Sequence, residues 1–352
     1  MERKRATITD VAVHAGVSKA TVSAVLNATA GVRDATRERV LSSLEQLDYR
    51  PASRARGGSP PQLAAARSVR SLALLIREAD NPYFAEVAAG ARAVAEARGF
   101  TLLMVSSEGD LACERRAVQL LHAKEIDGIM AYPVMDDHAD LSHFFELRRR
   151  NFPFVLLEGV HGLPASLVDI DNRAASCAAI EHLLELGHTR LAHFAGPRYS
   201  LHTRERVDGV RQACSGALVR LTDADVIPAG TRLEDGRRAA LACFAGRAPS
   251  ERPTGVTCYN DIIATGVCSA LAELGLRVPE DVSVVGFDDI PLARHMPVPL
   301  TTIRVPQREA GRLAAEMLME QVTAGAPEMP VRRLLDATLV VRASTGAPPP
   351  PP

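Results

Sequence analysis

From residue 71 onward, short apolar runs alternate with longer amphipathic segments. The runs have four or five residues each and predict strands: Leu72–Ile76, Thr101–Val105, Gly128–Ala131, Phe154–Leu157, Arg190–Phe194, Gly255–Tyr259 and Ser283–Gly286. The segments between them have helical spacing: Phe84–Arg98, Glu114–Lys124, Leu141–Arg149, Ala174–Leu186, Arg206–Ser215, Gly236–Ala245 and Ile262–Leu274. This alternation predicts parallel sheets with helices on both faces. One sheet of ten or more strands exceeds the usual size, so we predict two lobes with a cleft between them.

The first 56 residues have a purely helical pattern. Thr7 and Asp10 have the spacing of a capping box at the start of a first helix. Gly16 can adopt the positive φ of a turn, and Ser18 can cap a second helix. A third helix is expected at about residues 34–47. Apolar positions on the three helices predict a small common core, made of Ile8, Val11, Ala12, Ala15, Val22, Val25, Leu26, Val40, Leu44 and Leu47.

The outward side of the second helix suits the major groove of DNA. Residues at the start of such a helix reach base edges. Lys19 can donate to guanine, and Ala20 is small enough to meet a thymine methyl group. Thr21, Ser23 and Asn27 are candidate phosphate contacts. A three-helix packing module with no role on DNA is the alternative. The full predicted DNA-binding set is Thr7, Ser18, Lys19, Ala20, Thr21, Ser23, Ala24, Asn27, Arg54 and Arg56.

Charge is distributed unevenly along the 352 residues. Residues 1–56 carry ten Lys and Arg against six Asp and Glu, a balance of +4 in a chain of net charge −1. A basic head on an acidic body indicates a polyanionic partner for the head alone. The six cysteines form no CxxC pair, and no apolar run approaches the length of a membrane span. We expect a cytoplasmic protein without metal or cofactor.

At this point the sequence resembles a known family. The segments TITDVAVHAGVSKATVSAVLN and VRDATRERVLSSLEQLDYRP resemble the head of the lactose-repressor (LacI/GalR) family of bacterial regulators. The resemblance continues through NPYFAEVAAG, VDIDNRAASCAAIEHLLELGHTRLAHFAGP and YNDIIATGVCSALAELGLRVPEDVSVVGFDDI to the helix after TTIRVP. The pairing of CYND with TRERVDG is most similar to the maltose-regulon-repressor branch.

Two departures from the family pattern affect the DNA-binding part. Ala24 stands where the family usually has an Arg that reads a base, so one donor is lost from the recognition face. The family hinge folds into a short helix that wedges Leu side chains into the minor groove. Here Gly57 and Gly58 oppose a helix by about 1 kcal/mol each. Arg54 and Arg56 could instead reach phosphates or a narrow minor groove. A flexible tether is the alternative.

The resemblance implies a body like the periplasmic sugar-binding proteins, with crossovers between lobes near Asp171 and Thr302–Val305. Ligands of such sheets bind outside the carboxyl ends of the strands. Side chains there can stack on a sugar or base ring, or exchange hydrogen bonds with the hydroxyls of a polyol. By strand position and family resemblance, the predicted effector contacts are Tyr83, Phe84, Glu158, Arg206, Asn260 and Asp288. The alternatives are a lobe-core role for Phe84, helix capping for Asp261, Asp288 and Asp289, and a purely structural role for Arg206.

The predicted fold class is therefore multidomain: a small all-α helix-turn-helix head and a two-lobed, periplasmic-binding-protein-like α/β core with parallel sheets. The predicted boundaries are 1–56 for the head, 57–70 for the hinge, 71–171 with 303–328 for the first lobe, 172–302 with 329–346 for the second, and 347–352 for a disordered tail.

The predicted function is a sequence-specific transcriptional regulator, and a repressor in particular. Its expected partners are a pseudo-palindromic double-stranded operator, a sugar- or nucleoside-like effector and a second copy of the chain, at the bacterial nucleoid. A cytosolic sugar-binding module with a degenerate head is the alternative. An enzyme is not expected, because no GxSxG motif, P-loop or metal-ligand set accompanies Asp288 and Asp289.

Overall fold

The computed structural model describes residues 7–26, 34–47, 70–123, 126–135, 140–198 and 200–350. The chain divides into two compact units, Met1–Val69 and Arg70–Pro352. The first is the helical head. The second contains both α/β lobes.

Three short helices build the head: α1 Ile8–His14, α2 Lys19–Leu26 and α3 Asp34–Gln46. Thr7 caps α1, because its hydroxyl accepts from the Asp10 amide at 3.4 Å while the Asp10 carboxylate accepts from the Thr7 amide at 2.7 Å. Gly16 adopts φ +60° in the turn before α2. The predicted capping box and turn are thus confirmed. The fully buried core consists of Val11, Ala12, Ala15, Val22, Val25 and Val40.

The first lobe is built on a six-stranded parallel sheet in the order β11-β5-β4-β3-β1-β2. Its strands are β1 Ser71–Ile76, β2 Thr101–Ser106, β3 Gly128–Ala131, β4 Phe154–Leu156, β5 Ser166–Ile170 and β11 Arg332–Leu335. The helices of this lobe are α4 Pro82–Ala97, α5 Leu111–Ala123, α6 Ser142–Arg149 and α11 Gln307–Ala324. The interior strand β1 is buried on both faces because helices cover both sides of the sheet.

The second lobe repeats this plan in the order β12-β10-β9-β8-β6-β7, with only β12 antiparallel. Its strands are β6 Leu191–Ala195, β7 Val226–Pro228, β8 Gly255–Cys258, β9 Ser283–Asp288, β10 Thr301–Arg304 and β12 Thr338–Val340. Its helices are α7 Asn172–Glu185, α8 Leu201–Gly216, α9 Leu233–Phe244 and α10 Asp261–Glu273. Among the described residues, no helix is both long and apolar enough to cross a membrane.

The chain crosses between the lobes three times. The crossings follow β5, β10 and β11, and the first two lie where the sequence predicted them. The third corrects the predicted boundaries: residues 329–346 were assigned whole to the second lobe, but Arg332–Leu335 pair with β5 in the first. The boundary at 302/303 also falls inside β10, which belongs entirely to the second sheet.

The predicted disordered tail is partly ordered. Through residue 350 the chain runs along the second lobe, where the Gly346 carbonyl accepts from His188 Nε2 at 2.9 Å. The Gly346 amide donates to Ser283 Oγ at 3.0 Å. Pro348 lies 3.8 Å from where a Cβ on Gly187 would sit. The proline-rich composition therefore misled the prediction for residues 347–350, because backbone hydrogen bonds just before them fix the path of the chain.

Candidate functional sites

The start of α2 presents the predicted recognition surface. Lys19 and Ala20 are exposed, and Ser23 and Ala24 are half-buried behind them. Ser18 holds the first turn in place, because its hydroxyl accepts from the Thr21 amide at 3.1 Å and lies 2.9 Å from the Thr21 hydroxyl. A small, cationic, exposed face of this kind can enter a DNA groove.

Of the remaining predicted DNA contacts, the structure describes one, Thr7. The Thr7 hydroxyl is used within the head, where it donates to Asp10 Oδ2 at 2.7 Å as part of the capping box. Asn27, Arg54 and Arg56 lie outside the described residues, as do residues 57–69 of the predicted hinge.

A cavity lies between the two lobes of the second unit, at the carboxyl ends of their strands. Its volume is about 30 Å³, which is room for one or two water molecules, so the lobes are closed around it and a larger ligand requires them to open. Both lobes supply its walls: Arg77, Glu78, Asn81, Tyr83, Phe84 and Tyr132 from the first, and His202, Arg206, Thr231, Tyr259, Asn260 and Asp288 from the second.

Aromatic rings form one side of this cavity. Tyr83 packs edge-on against Phe84 and Tyr132, with ring centres 5.3 and 5.9 Å apart. The Tyr83 and Tyr132 hydroxyls lie 3.1 Å apart. Phe84 is only 3% exposed and belongs to the core of the first lobe, yet it also lines the cavity. The position of Phe84 is therefore compatible both with a role in the lobe core and with a role in the cavity wall.

Arg206 is held rigidly on the opposite side. Its Nε donates to Asn172 Oδ1 at 2.9 Å, and its Nη1 donates to the Tyr259 carbonyl. The guanidinium stacks over the Phe287 and Tyr259 rings, 3.6 and 4.7 Å from their centres. Two hydrogen bonds and two rings fix its plane, so a ligand would meet a pre-oriented cation.

Asp288 ends β9 with its carboxyl buried beside the cavity. Its backbone has φ +113°, and its carbonyl accepts from the Gln307 side chain. Within the described residues, no hydrogen bond reaches its carboxyl group. Burial raises the pKa of Asp288 to about 7, although Arg206, His202 and Arg77 pull in the opposite direction. Because this carboxyl group lines the cavity, it can accept a hydrogen bond from a hydroxyl ligand.

The neighbouring polar residues separate into those that line the cavity and those that are structural. Asn260 lines the cavity and caps α10, since its Oδ1 accepts from the Ile263 amide at 2.8 Å. Asp261, for which capping was the alternative, instead binds the Ile290 amide at 2.8 Å and the Thr302 hydroxyl at 2.6 Å. Asp289 pairs with Arg304 at 2.7 Å and Arg342 at 2.6 Å. Neither aspartate is a helix cap.

Glu158 does not line the cavity. It is fully buried beneath it, where one oxygen accepts from Arg77 Nη1 at 2.6 Å and the other from the Ser200 hydroxyl at 2.6 Å. Arg77 and Ser200, together with His202, lower the pKa of Glu158 to about 2 against the effect of burial. The predicted ligand contact is thus corrected to a supporting role, because its oxygens already have protein partners.

Sequence reasoning missed several lining residues. Arg77 and Glu78 directly follow β1, Tyr132 follows β3 and Tyr259 follows β8, so the strand-end rule could have identified them. Thr231 follows β7, a strand that the sequence did not reveal, and His202 lies in a helical turn that was not predicted. In the part of the chain that the structure describes, no group of His, Cys, Asp and Glu could hold a metal ion.

Family models match both units. One described as "Bacterial regulatory proteins, lacI family" matches residues 7–52, and one described as "Periplasmic binding protein-like domain" matches residues 180–345. The HTH-type transcriptional repressor PurR of Aliivibrio fischeri is 34% identical over 318 residues, which cover 90% of this chain and 92% of the relative. Its namesake in Photobacterium profundum is 33% identical over 320 residues, with the same coverage.

Solved structures agree. A transcriptional regulator CelR–cellobiose complex has a TM-score of 0.70 at 29% identity and covers 97% of this chain and 100% of its own. A lac repressor dimer bound to operator and the anti-inducer ONPF has a TM-score of 0.67 at 26% identity, covering 98% and 100%. These relatives are regulators rather than enzymes. The chain belongs to the LacI family and is a transcriptional repressor with a helix-turn-helix DNA-binding head and an effector-binding core.

Proposed function

We propose that this repressor reads a pseudo-palindromic operator with α2 and responds to a neutral, hydroxyl-rich effector, either a sugar or a nucleoside. The observation that carries the proposal is the inter-lobe cavity, whose walls come from both lobes and combine rings with Arg, Asp and Asn side chains. A ligand that touches both lobes changes the free energy of their closure. That differential binding is what ligand control of DNA binding requires.

The polar groups of the cavity suit a polyol because they include both donors and acceptors. A hydroxyl group can donate to Asp288 and accept from Arg206 at the same time. The Asn260 amide adds a further donor, and the Tyr83 ring offers an edge or face to an apolar ring surface. The cellobiose found in the CelR relative supports a sugar as the ligand class.

On DNA, we propose that Lys19 and Ala20 contact bases while Ser18, Thr21, Ser23 and Ala24 face the backbone or the groove wall. The exposure of Lys19 and Ala20 supports this assignment. Thr7, Asn27, Arg54 and Arg56 remain proposed phosphate or minor-groove contacts. Two heads of a homodimer would occupy half-sites about one helical turn apart. The site of action would be the nucleoid in the bacterial cytoplasm.

Selection of bound DNA from a random pool tests the operator proposal. The expected result is a pseudo-palindrome whose binding weakens steeply with salt, because Lys and Arg displace counterions. Lys19→Glu should remove sequence preference, with a loss on the order of 10- to 100-fold on the selected site. Arg39→Glu makes the same charge change on exposed α3 and should weaken selected and random DNA alike. Equal preference of the unmodified protein for both DNAs contradicts the proposal.

A thermal-shift panel of pentoses, hexoses, disaccharides and nucleosides tests the effector proposal. A ligand at about 100 times its Kd should stabilise the core by roughly 2.7 kcal/mol. Asp288→Asn should abolish that shift without reducing operator affinity. Asp223→Asn, at an exposed carboxylate paired with Arg211, is the matched control. Failure of the whole panel to shift the transition, while operator binding persists, contradicts a polyol effector.

A further inference from the structure

A buried polar cluster joins the lobes behind the effector cavity. Ser200 and His202, at the start of α8, come from the second lobe, and Glu158 and Asp169 come from the first. The Ser200 hydroxyl donates to Glu158 at 2.6 Å, and His202 Nε2 lies 2.9 Å from Asp169 Oδ1. His202 Nδ1 lies 3.5 Å from Glu158 Oε2. We call these four residues the cross-lobe clamp.

The four side chains of the clamp are buried, although His202 also borders the effector cavity, so little water reaches these contacts while the lobes stay together. Each ring nitrogen of His202 faces a carboxylate, an arrangement that favours the doubly protonated, cationic ring. Asp169 Oδ2 is buried without a hydrogen-bond partner, which leaves that carboxylate more dependent on His202.

The charges around His202 come from every element packed against it. They are Glu158 after β4, Asp169 on β5, Asp288 at the end of β9, Glu205 and Arg206 on α8, and Arg77 on the far side of Glu158. Burial alone would lower the pKa of His202, but Glu158 and Asp169 together raise it above its ordinary value. The two carboxylates therefore outweigh both burial and the opposing Arg206.

We propose that the cross-lobe clamp makes lobe closure proton-dependent, so that protonation of His202 is a second input to the effector site. A cationic His202 binds two carboxylates across the lobe boundary. A neutral ring can donate from only one nitrogen, and one carboxylate then loses its contact with the ring, although each carboxylate keeps other hydrogen bonds within its own surroundings. Because the folded pKa is raised, the closing contribution is complete at acid pH and is lost as the pH rises through that pKa.

The regulatory meaning of the clamp rests on the proposed function. A ligand that binds the closed lobes and a proton that stabilises closure must reinforce each other by linkage. Through His202, lowering the pH from about 8.5 to about 6 should tighten effector binding, whereas protonation of Asp288, with a pKa of about 7, weakens an acceptor over the same range. Effector binding would in turn favour proton uptake by His202.

Hydrogen–deuterium exchange of the full-length protein tests the clamp without effector or operator. His202→Gln keeps a side-chain N–H donor but cannot become charged. At about pH 6, cleft-edge peptides covering residues 76–84, 154–160 and 228–232 should exchange faster in the variant, on the order of tenfold. The difference between the variant and the unmodified protein should shrink as the pH is raised to about 8.5. Because the variant and the unmodified protein are compared at the same pH, the intrinsic pH dependence of amide exchange cancels.

Two further variants separate the clamp from a general loss of stability. Ser200→Ala removes a cross-lobe hydrogen bond that does not titrate together with the cap of α8, so exchange should accelerate at both pH values, at the cleft edges and in the first turn of α8. His182→Gln changes a half-buried histidine on α7 whose Nε2 lies 2.9 Å from the Thr345 hydroxyl, and should leave the cleft edges unchanged. The proposal is overturned if His202→Gln has the same effect at both pH values, or if its effect stays within α8.

The unmodified protein supplies a second test should His202→Gln fold poorly. After correction for intrinsic rates, its cleft edges should gain protection at the lower pH relative to strands β3 and β8, and equal protection at both values contradicts the clamp. This result is independent of the ligand panel. If the exchange data contradict the clamp, the proposed effector class can still be correct. If the ligand panel contradicts the effector class, the clamp can still be correct.

Discussion

At the scale of single residues, Asp288 combines a functional position with an energetic cost. Its carboxyl lies buried beside the cavity, and its pKa is raised to about 7 by burial. The folded protein therefore holds this proton at pH values where the unfolded chain has already released it. Ionisation of this buried carboxyl group therefore destabilises the folded protein. The same burial keeps the group available to accept hydrogen bonds from ligand hydroxyl groups.

Asp288→Asn should change how stability depends on pH. Between about pH 4 and pH 7 the folded state binds more protons at this site than the unfolded state, so the stability of the unmodified protein falls as the pH rises. The variant lacks this contribution and should be more stable at pH 8, by up to about 4 kcal/mol for a shift of about three pKa units.

Urea unfolding of both proteins across this pH range measures the difference. The difference between the two curves cancels the contribution of His202, which changes in the same direction. Parallel curves for Asp288→Asn and the unmodified protein would show that the carboxyl is already solvated or paired. Such a result would also remove the physical reason for expecting it to bind a ligand hydroxyl group.

The sequence predicted the cavity-lining residues unevenly. Arg206, Asn260 and Asp288 were accessible to it, because the family resemblance marks them and the last two end strands. Glu158 has the same kind of position, but its partners Arg77 and Ser200 are distant in sequence, so its supporting role became evident only from the fold. No local signal shows that a buried carboxylate already has its hydrogen bonds.

At the scale of elements, α4 and α11 meet through two glycines. A Cβ on Gly90 would lie 1.9 Å from the Arg308 carbonyl oxygen, and one on Gly311 would lie 1.9 Å from the Val87 carbonyl oxygen. The two helix backbones therefore approach more closely than any side chain allows. This contact ties the long return helix α11, which follows the second crossing, to the first lobe.

Gly90→Ala should destabilise the core by at least about 2–3 kcal/mol, because the added methyl group meets backbone rather than a movable side chain. Gly216→Ala, at the end of α8, is the matched control, since nothing lies within 4 Å of its Cβ position. It should be neutral or stabilising by up to about 1 kcal/mol. Thermal unfolding compares them, and similar transition temperatures for the two variants would contradict the close approach.

Element prediction succeeded for apolar runs buried on both faces and for the edge strand β2, but it missed the interior strands β5 and β10, whose short runs contain polar residues, and the edge strands β7, β11 and β12. Strands β1, β3 and β8 are runs buried on both faces, and their predicted bounds agree to within one residue. Strands β7, β11 and β12 have three or four residues with little burial, and they exist because a neighbouring strand offers hydrogen bonds. The start of α8 was missed because residues 201–205 are mostly polar. There the Ser200 cap begins the helix.

At the scale of the whole molecule, the three crossings make the lobes interdependent. Each lobe contains a strand that the chain reaches only after visiting the other lobe, so neither sheet is complete as a continuous segment. The β-α rhythm predicted two lobes, and the family resemblance placed two crossings. The third crossing depends on the short strands β11 and β12, which carry no sequence signal of their own. Closure must therefore be accommodated in three short connections at once.

The second lobe also carries an apolar groove that suits a second copy of the chain. It has a volume of about 740 Å³ and lies between α10 and residues 291–298, where Cys268, Leu276, Leu292 and Met296 line it. Leu292 is 43% exposed. A repressor that reads two half-sites needs two coupled heads, and the lac repressor relative is a dimer on its operator. We therefore expect this groove to be part of the dimer interface.

Leu292→Arg should weaken the dimer, because a twofold interface repeats the lost contact and places two charges in an apolar contact. Each buried Leu contributes roughly 1.5–3 kcal/mol, so the dissociation constant should rise on the order of 100-fold or more. Leu218→Arg, at a leucine 94% exposed in the unit Arg70–Pro352, adds the same charge outside the groove and should change nothing. Sedimentation velocity distinguishes the two. A variant that stays dimeric would place the interface on another face, whereas a monomer that still binds the full operator as tightly as the dimer would show that the heads act independently.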